Sequence, residues 1–321
     1  MASPRPTEGA RREDLEELLQ SVRRDLRRRG EAPTGEWVEG SAADLHSGAK
    51  AGWFLPTSEG GGLAFFARRG PEAFGHVHAS EGDDPAGVAR RLAISMLDGL
   101  PEDVTSIDVG FTGLSGPAER EVVADLARRP GSSTIEREAR ERPITPPDGD
   151  PGIRPPSGLR TVPVRDVTLD ALADLDRRSF RGTVDERLLG PRVEEYRHAL
   201  SAILEGSLGR FLDEASTALL TAEPPSLVGA ILTSEQSART AIFVDLMVDP
   251  GLRRKGYGEF LLRWGFRALL ALGHSNVRLW VTVANSPARA LYDKFGFVTT
   301  AQATIYRWER GVSSAQPHAP R

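Results

Sequence analysis

TAIFVDLMVDPGLRRKGYGEFLLRWGFRALL, residues 240–270, holds the three local signals that decide how the second half of this chain folds. Thr240–Val248 is a short apolar run bounded by turn residues, which predicts a buried strand. Asp249-Pro250-Gly251 turns the chain. From about Gly256 to residue 272, Phe260, Leu261, Trp264 and Leu269 fall on one face of an amphipathic helix. Between strand and helix lies a basic, glycine-bearing loop, Arg253-Arg254-Lys255-Gly256-Tyr257-Gly258. A helix N-terminus carries unpaired N–H groups and the positive end of the helix dipole, so it attracts anions. Gly256 and Gly258 have no side chain to hold an anion off the backbone, and three cations add charge. The segment predicts a cradle for a diphosphate. It has neither the Gly-Lys-Ser/Thr of a P-loop nor the G-x-G-x-x-G of a dinucleotide fold.

Working outward, the pattern from Leu159 is strand, two helices (168–178 and about 191–205), strands at 210–220, 227–234 and 240–248, helix, strand 277–283, helix 287–295, strand 299–308. The stretch Val281-Thr282-Val283-Ala284-Asn285-Ser286-Pro287-Ala288-Arg289-Ala290-Leu291-Tyr292 is followed by Phe295-Gly296-Phe297. Asn285 and Tyr292 are seven residues apart, about two helical turns, and so share a helix face. Arg-x-x-Gly-x-Gly after a Val-Asp-Pro strand end resembles motif A of the GNAT N-acetyltransferases, and the Asn, Leu-Tyr and Gly-Phe positions resemble that family's second signature, over about residues 160–308.

That resemblance implies a mixed α/β sheet and acetyl-CoA as cosubstrate, with no metal. It implies that residues 253–258 carry the pyrophosphate, with Arg289 also on the cofactor side, and that Asn285 and Tyr292 flank the pantetheine arm. It further implies that strands 240–248 and 277–283 splay apart, leaving the N–H groups of Met247 and Val248 to bond pantetheine and polarise the thioester carbonyl. The expected chemistry is direct attack by a primary amine of a small molecule or a protein N-terminus. Tyr292 is the candidate general acid for the thiolate. An alkylammonium, with a pKa of about 10.4, must lose a proton first. Asp245 is the candidate base, although a structural hydrogen bond explains a strand Asp equally well, and Val244 stands where family members often carry an acid. Ser179–Glu186 falls where the family's acceptor loop lies.

The 321 residues suggest two domains, and 41 basic against 45 acidic residues give a net charge of −4, without the basic excess of a nucleic-acid binder. The absence of cysteine excludes disulfides, thiolate–metal sites and a thiol nucleophile. The charged start has no apolar leader, and no run is long enough to span a bilayer, so a soluble cytoplasmic protein without membrane partner is expected. Residues 10–29 predict one helix with Leu15, Leu18, Leu19, Val22 and Leu26 inward. His76 and His78 share a strand face, but no third ligand stands at metal spacing.

Residues 143–158, with six prolines, predict a semi-rigid spacer. The expected division is a first domain at 1–142, the spacer, a catalytic domain at 159–310 and a frayed tail at 311–321. The halves repeat at an offset of 170 residues. Arg253, Arg254, Lys255, Gly256 and Gly258 then correspond to Asp83, Asp84, Pro85, Ala86 and Val88, while Asn285 and Tyr292 correspond to Ser115 and Val122. Two carboxylates would repel a pyrophosphate, so the first half resembles a degenerate GNAT domain without cofactor, and the chain is expected to be a monomeric pseudo-dimer or a homodimer. The competing reading is a non-catalytic acyl-CoA sensor or scaffold.

Overall fold

The structure, a computed structural model, describes residues 3–28, 35–56, 61–150, 152–190 and 192–311; the expected tail therefore lies almost wholly outside the described residues. In chain order the elements are β1 (Arg5–Pro6), α1 (Arg12–Arg28), α2 (Gly35–Ser47), β2 (Gly52–Leu55), β3 (Gly62–Arg69), β4 (Glu72–Ala79), α3 (Pro85–Asp98), β5 (Ser106–Thr112), α4 (Gly116–Leu126) and β6 (Ser132–Pro143). They continue with β7 (Leu159–Pro163), α5 (Leu169–Phe180), α6 (Glu186–Leu189), α7 (Val193–Leu204), β8 (Arg210–Phe211), β9 (Thr217–Thr221), β10 (Leu227–Ser237), β11 (Thr240–Val248), α8 (Tyr257–Ala271), β12 (Asn276–Thr282), α9 (Ser286–Lys294) and β13 (Val298–Glu309).

The chain divides into two compact units, residues 1–137 with 302–321, and residues 138–301. The division cuts through β6 and β13 rather than falling in the proline-rich stretch. That stretch packs inside the second unit. Ile144 is buried and donates its N–H to the Ser275 carbonyl at 2.9 Å, and Ile153 joins the same core. Two isoleucines suffice to dock a segment that its prolines alone would leave extended.

In the first unit the strand order is β1-β2-β3-β4-β5, with residues 306–309 of β13 antiparallel to β5. Only β4 and β5 run parallel, joined by α3. Val88, Leu92 and Met96 of α3 bury one face against Val77, Ile107 and Val109, and Leu15, Leu18 and Leu19 of α1 bury the other against Phe54 and Leu63. Helix α1 follows the expected leucine stripe. The sequence signals did not disclose α2 and β2, which are short and weakly periodic.

In the second unit the order is β6-β12-β11-β10-β9-β7, with β11 and β12 parallel around α8. Phe260, Leu261, Phe266 and Leu269 of α8 cover one face; Leu172, Leu175, Tyr196 and Leu200 of α5 and α7 cover the other. The mixed α/β class is as expected. The single strand expected at 210–220 is broken by a 3-10 turn at Asp213–Ala215. There the Ser216 hydroxyl donates to the Leu212 carbonyl at 2.8 Å and accepts from the Thr233 N–H at 2.9 Å, replacing ladder bonds with side-chain ones.

The 170-residue repeat is exact at its second parallel strand and the following helix. β12 at 276–282 maps onto β5 at 106–112, and the helix caps Asn285 and Ser115 coincide, each followed by proline in the first turn.

Candidate active site

β11 pairs with β12 over only four positions, Thr240↔Asn276 to Phe243↔Leu279. Beyond Phe243 the strands part, and the last four residues of β11, 245–248, stay paired with β10. The parting begins at a bulge. Leu232 of β10 faces Asp245 and Thr233 faces Phe243, so Val244 is the extra residue. A bulge shifts the side-chain alternation by one. Ala241 and Phe243 face α8 before it; Leu246 and Val248 face α8 after it, and Met247 turns to the α5–α7 side. By the same alternation Asp245 lies on the α5–α7 side.

At the mouth of this opening the Asp249 side chain accepts from the Gly251 N–H at 3.0 Å and pairs with Arg178. Arg253 is exposed, and its guanidinium donates to the Ser179 carbonyl, tying the loop to α5. Arg254 and Gly256 both take left-handed backbone conformations, with φ of 61° and 84°. Alternating left-handed residues are what build anion-binding nests of N–H groups. Gly256 is the N-cap of α8, and no side chain caps that helix. At Gly258 a Cβ would stand 3.2 Å from Leu291, so its small size lets α8 approach α9.

Asn285 caps α9, accepting from the Ala288 N–H at 3.2 Å, and its amide donates to Asp185 at 2.5 Å. Both polar ends of Asn285 are thus committed. It fixes the helix start and, through the buried Asp185, anchors the segment 182–185. Tyr292, two turns on, is 9% exposed and meets Phe297 edge-on at 5.7 Å.

A cavity of about 890 Å³ opens here, floored by Leu246, Val248, Leu291 and Tyr292 and walled by Ser179–Val184 and the 252–258 loop. Among the expected residues, Val248, Arg253, Arg254, Gly256, Tyr257, Gly258, Asn285 and Tyr292 line it. Met247 is buried under α5 and α7, which leaves its expected backbone role open to it. Lys255 is exposed and outside the lining. Arg289 is drawn away altogether: its Nε donates to buried Glu138 at 2.8 Å. Asp245 lies behind the wall, half-buried and hydrogen-bonded to Asp176 of α5. Burial, and then the charge of Asp245, hold the Asp176 carboxyl well above the usual carboxylate range. Asp176 and Arg178 had no motif to mark them in the sequence, and Asp185 stood in the expected acceptor loop, Ser179–Glu186, with no role of its own.

The first unit offers the control. There β4 and β5 stay paired over seven positions to His78↔Thr112, without a splay. The N-terminus of α3 is closed by Asp84, whose carboxylate accepts from the Gly87 N–H at 2.8 Å. A separate cavity of about 740 Å³ is lined by Glu17, Asp25 and Glu81 with Arg24, His78 and Ser115. His78 is buried, and the Thr112 hydroxyl bridges its Nδ1 at 3.0 Å and the His76 Nε2 at 2.9 Å.

Residues 169–297, within the second unit, match the model of the acetyltransferase (GNAT) family. Over nearly the whole chain the fold is similar to a GCN5-related N-acetyltransferase from Sphaerobacter thermophilus, with 14% identity, 94% of each chain covered and a TM-score of 0.63. It is also similar to a tandem GNAT protein from the clavulanic acid biosynthesis pathway, with 14% identity, 97% of this chain and 99% of that one covered, and a TM-score of 0.59. At these identities the likeness is one of fold. No curated protein sequence matches the chain.

Proposed function

We propose that the second unit moves an acetyl group from acetyl-CoA to a primary amine, of a small molecule or a protein N-terminus, by direct attack. The observation that carries this reading is the open N-terminus of α8 at the mouth of the β11–β12 splay, set against its closed counterpart at Asp84. A pyrophosphate carries the charge such a nest is built to receive, and the exposed Arg253, Arg254 and Lys255 supply the neutralising field. Acetyl-CoA brings the activated acyl group; the chain brings position and proton traffic.

In this reading the unpaired end of β11 offers the N–H groups of Met247 and Val248 to the pantetheine and to the oxygen that becomes negative during attack. The amine must arrive neutral, so its ammonium gives up one proton, with Asp245 as the acceptor. A second proton leaves nitrogen as the C–S bond breaks, and the departing thiolate takes one from Tyr292, whose phenol is restored from solvent. The balance is one amide, one CoA thiol and one released proton.

The test is calorimetric binding of acetyl-CoA followed by a panel of amines, read by a thiol reagent. The chain has no cysteine, so all thiol signal is product. Binding with thiol release supports the reading. Binding without release across the panel favours a non-catalytic acyl-CoA sensor, and no binding removes both.

A further inference from the structure

Two carboxyls meet behind the cavity wall. Asp176 points from α5 and Asp245 from β11, they are hydrogen-bonded, and two carboxyls can hydrogen-bond only if one carries a proton. Their exposure differs. Asp176 is 1% exposed, whereas Asp245 is half-buried at the splayed end of its strand, next in sequence to the cavity-lining Leu246. Of the two, Asp245 alone is partly exposed.

The pair's surroundings are mixed in charge. From α7 comes Tyr196, fully buried, with Glu195 near it; α6 adds Glu186, α5 adds Arg177, and β10 presents Ala230 and Leu232. Burial, then the charges of Asp176, Glu186 and Glu195, push the Tyr196 phenol well above its ordinary value, so it remains protonated. The Tyr196 hydroxyl and Asp176 Oδ1 are both buried without a hydrogen-bond partner among the described residues. Buried polar atoms without a partner are uncommon, and each calls for an explanation. The Tyr196 ring stacks on Phe180 at 6.3 Å, and Phe180 lines the cavity.

Resting on the acetyltransferase reading, we propose that Asp176 and Asp245 act together as the proton acceptor of the second unit, Asp245 receiving the ammonium proton of the acceptor and Asp176, as a positioning residue, holding it in a shared hydrogen bond. With both carboxyls ionised, the pair takes one proton from R–NH3+, leaving R–NH2 free to attack, and later releases that proton to solvent. With the shared proton already in place, the pair is spent. The rate on an ammonium acceptor therefore rises with pH through the pair's upper ionisation, which lies above that of a lone carboxylate because two charges must be brought together away from water.

The test is the pH profile of kcat/KM for the wild-type chain, Asp176→Asn and Asp245→Asn, with an alkylamine and with a hydrazine that is already neutral at pH 7. Acetyl-CoA binding checks that each variant keeps its cavity. Asp176→Asn is expected to move the acid limb downward by at least about one pH unit, toward the position of an isolated carboxylate. Asp245→Asn is expected to lose about 10²-fold or more on the alkylamine and much less on the hydrazine. A protonated-carboxyl infrared band should titrate with the acid limb and vanish in Asp176→Asn. An unmoved acid limb, equal losses on both acceptors, or no such band overturns the pair while the acetyltransferase reading stands. A wild-type chain that binds acetyl-CoA and acetylates no amine removes that reading and this role with it.

Discussion

Tyr292 and Gly256 sit in the same cavity for opposite reasons, one for what its side chain does and one for having none. Tyr292→Phe keeps the ring that packs on Phe297 and removes only the hydroxyl. If that hydroxyl protonates the thiolate, kcat falls by about 10²-fold or more while the dissociation constant of acetyl-CoA stays within about threefold. An unchanged kcat would remove Tyr292 from proton transfer. At Gly256 a Cβ meets nothing within 4 Å, but φ is 84°. Gly256→Ala therefore costs about 1–2 kcal/mol in backbone strain, read as a lowered melting temperature together with weakened acetyl-CoA binding. Asp176 shows the stability side of a functional group. Its folded pKa is raised, so the folded state binds more protons than the unfolded one above about pH 3.9. Stability is then lost as pH rises through that window, and Asp176→Asn should raise the melting temperature more at pH 8 than at pH 5. A uniform change at both values would show that the carboxyl is not held protonated. At this scale the sequence was most legible where the backbone needs a rare conformation, as at Gly256, left-handed at the start of α8. It was least legible for Asn285 and Arg289, whose side chains are claimed by Asp185 and Glu138, partners 100 and 151 residues away.

Elements were legible wherever periodicity was long. β11, α8, β12 and α9 lie within a residue or two of where the apolar spacing puts them, because all four contribute one face to the same core. What no periodicity reveals is the bulge at Val244. Unbroken alternation would put Asp245 beside Ala241 and Phe243 under α8; one extra residue sends it to α5 and Asp176. The same limit applies to β6, whose alternation of Ile135 with charges reads as one wet face. Instead Glu138 is 3% exposed, accepting from Arg140 at 2.7 Å, Arg289 at 2.8 Å and the Thr299 hydroxyl at 3.1 Å. Burial opposes its charge, but these donors outweigh it and lower its pKa. Glu138→Ala removes one of the two carboxylate partners of the buried Arg140 guanidinium, leaving Asp293, and is expected to destabilise by about 1–3 kcal/mol. A lowered carboxyl pKa contributes stability above about pH 4.3, lost as pH falls through the folded value. The denaturant midpoint of the wild type should therefore fall on acidification below that point, and Glu138→Gln should flatten the decline. An unchanged slope would mean that the network is electrostatically idle.

Two units on one repeat plan can bind two cofactors or one, and the difference lies in two helix starts. α8 begins at a glycine with its first N–H groups uncapped; α3 begins at Asp84, with the Gly87 N–H already taken and Asp83 beside it. An anion approaching α3 meets two carboxylates where α8 offers Arg253 and Arg254, and β4 and β5 leave no gap for a pantetheine chain. Titration should therefore give one acetyl-CoA per chain. Saturation at about 100 times the dissociation constant should stabilise the binding unit by about 2.7 kcal/mol. Hydrogen exchange should register that gain within residues 138–301 and leave the α3 region unchanged. Arg253→Glu combined with Arg254→Glu puts acidic residues in the second unit where the first carries Asp83 and Asp84, and should abolish binding altogether rather than halve it. A stoichiometry of two, or half the sites surviving that double substitution, would return the cavity beside His78 to the list of cofactor sites, because charge at a helix start would then not be what separates the two units.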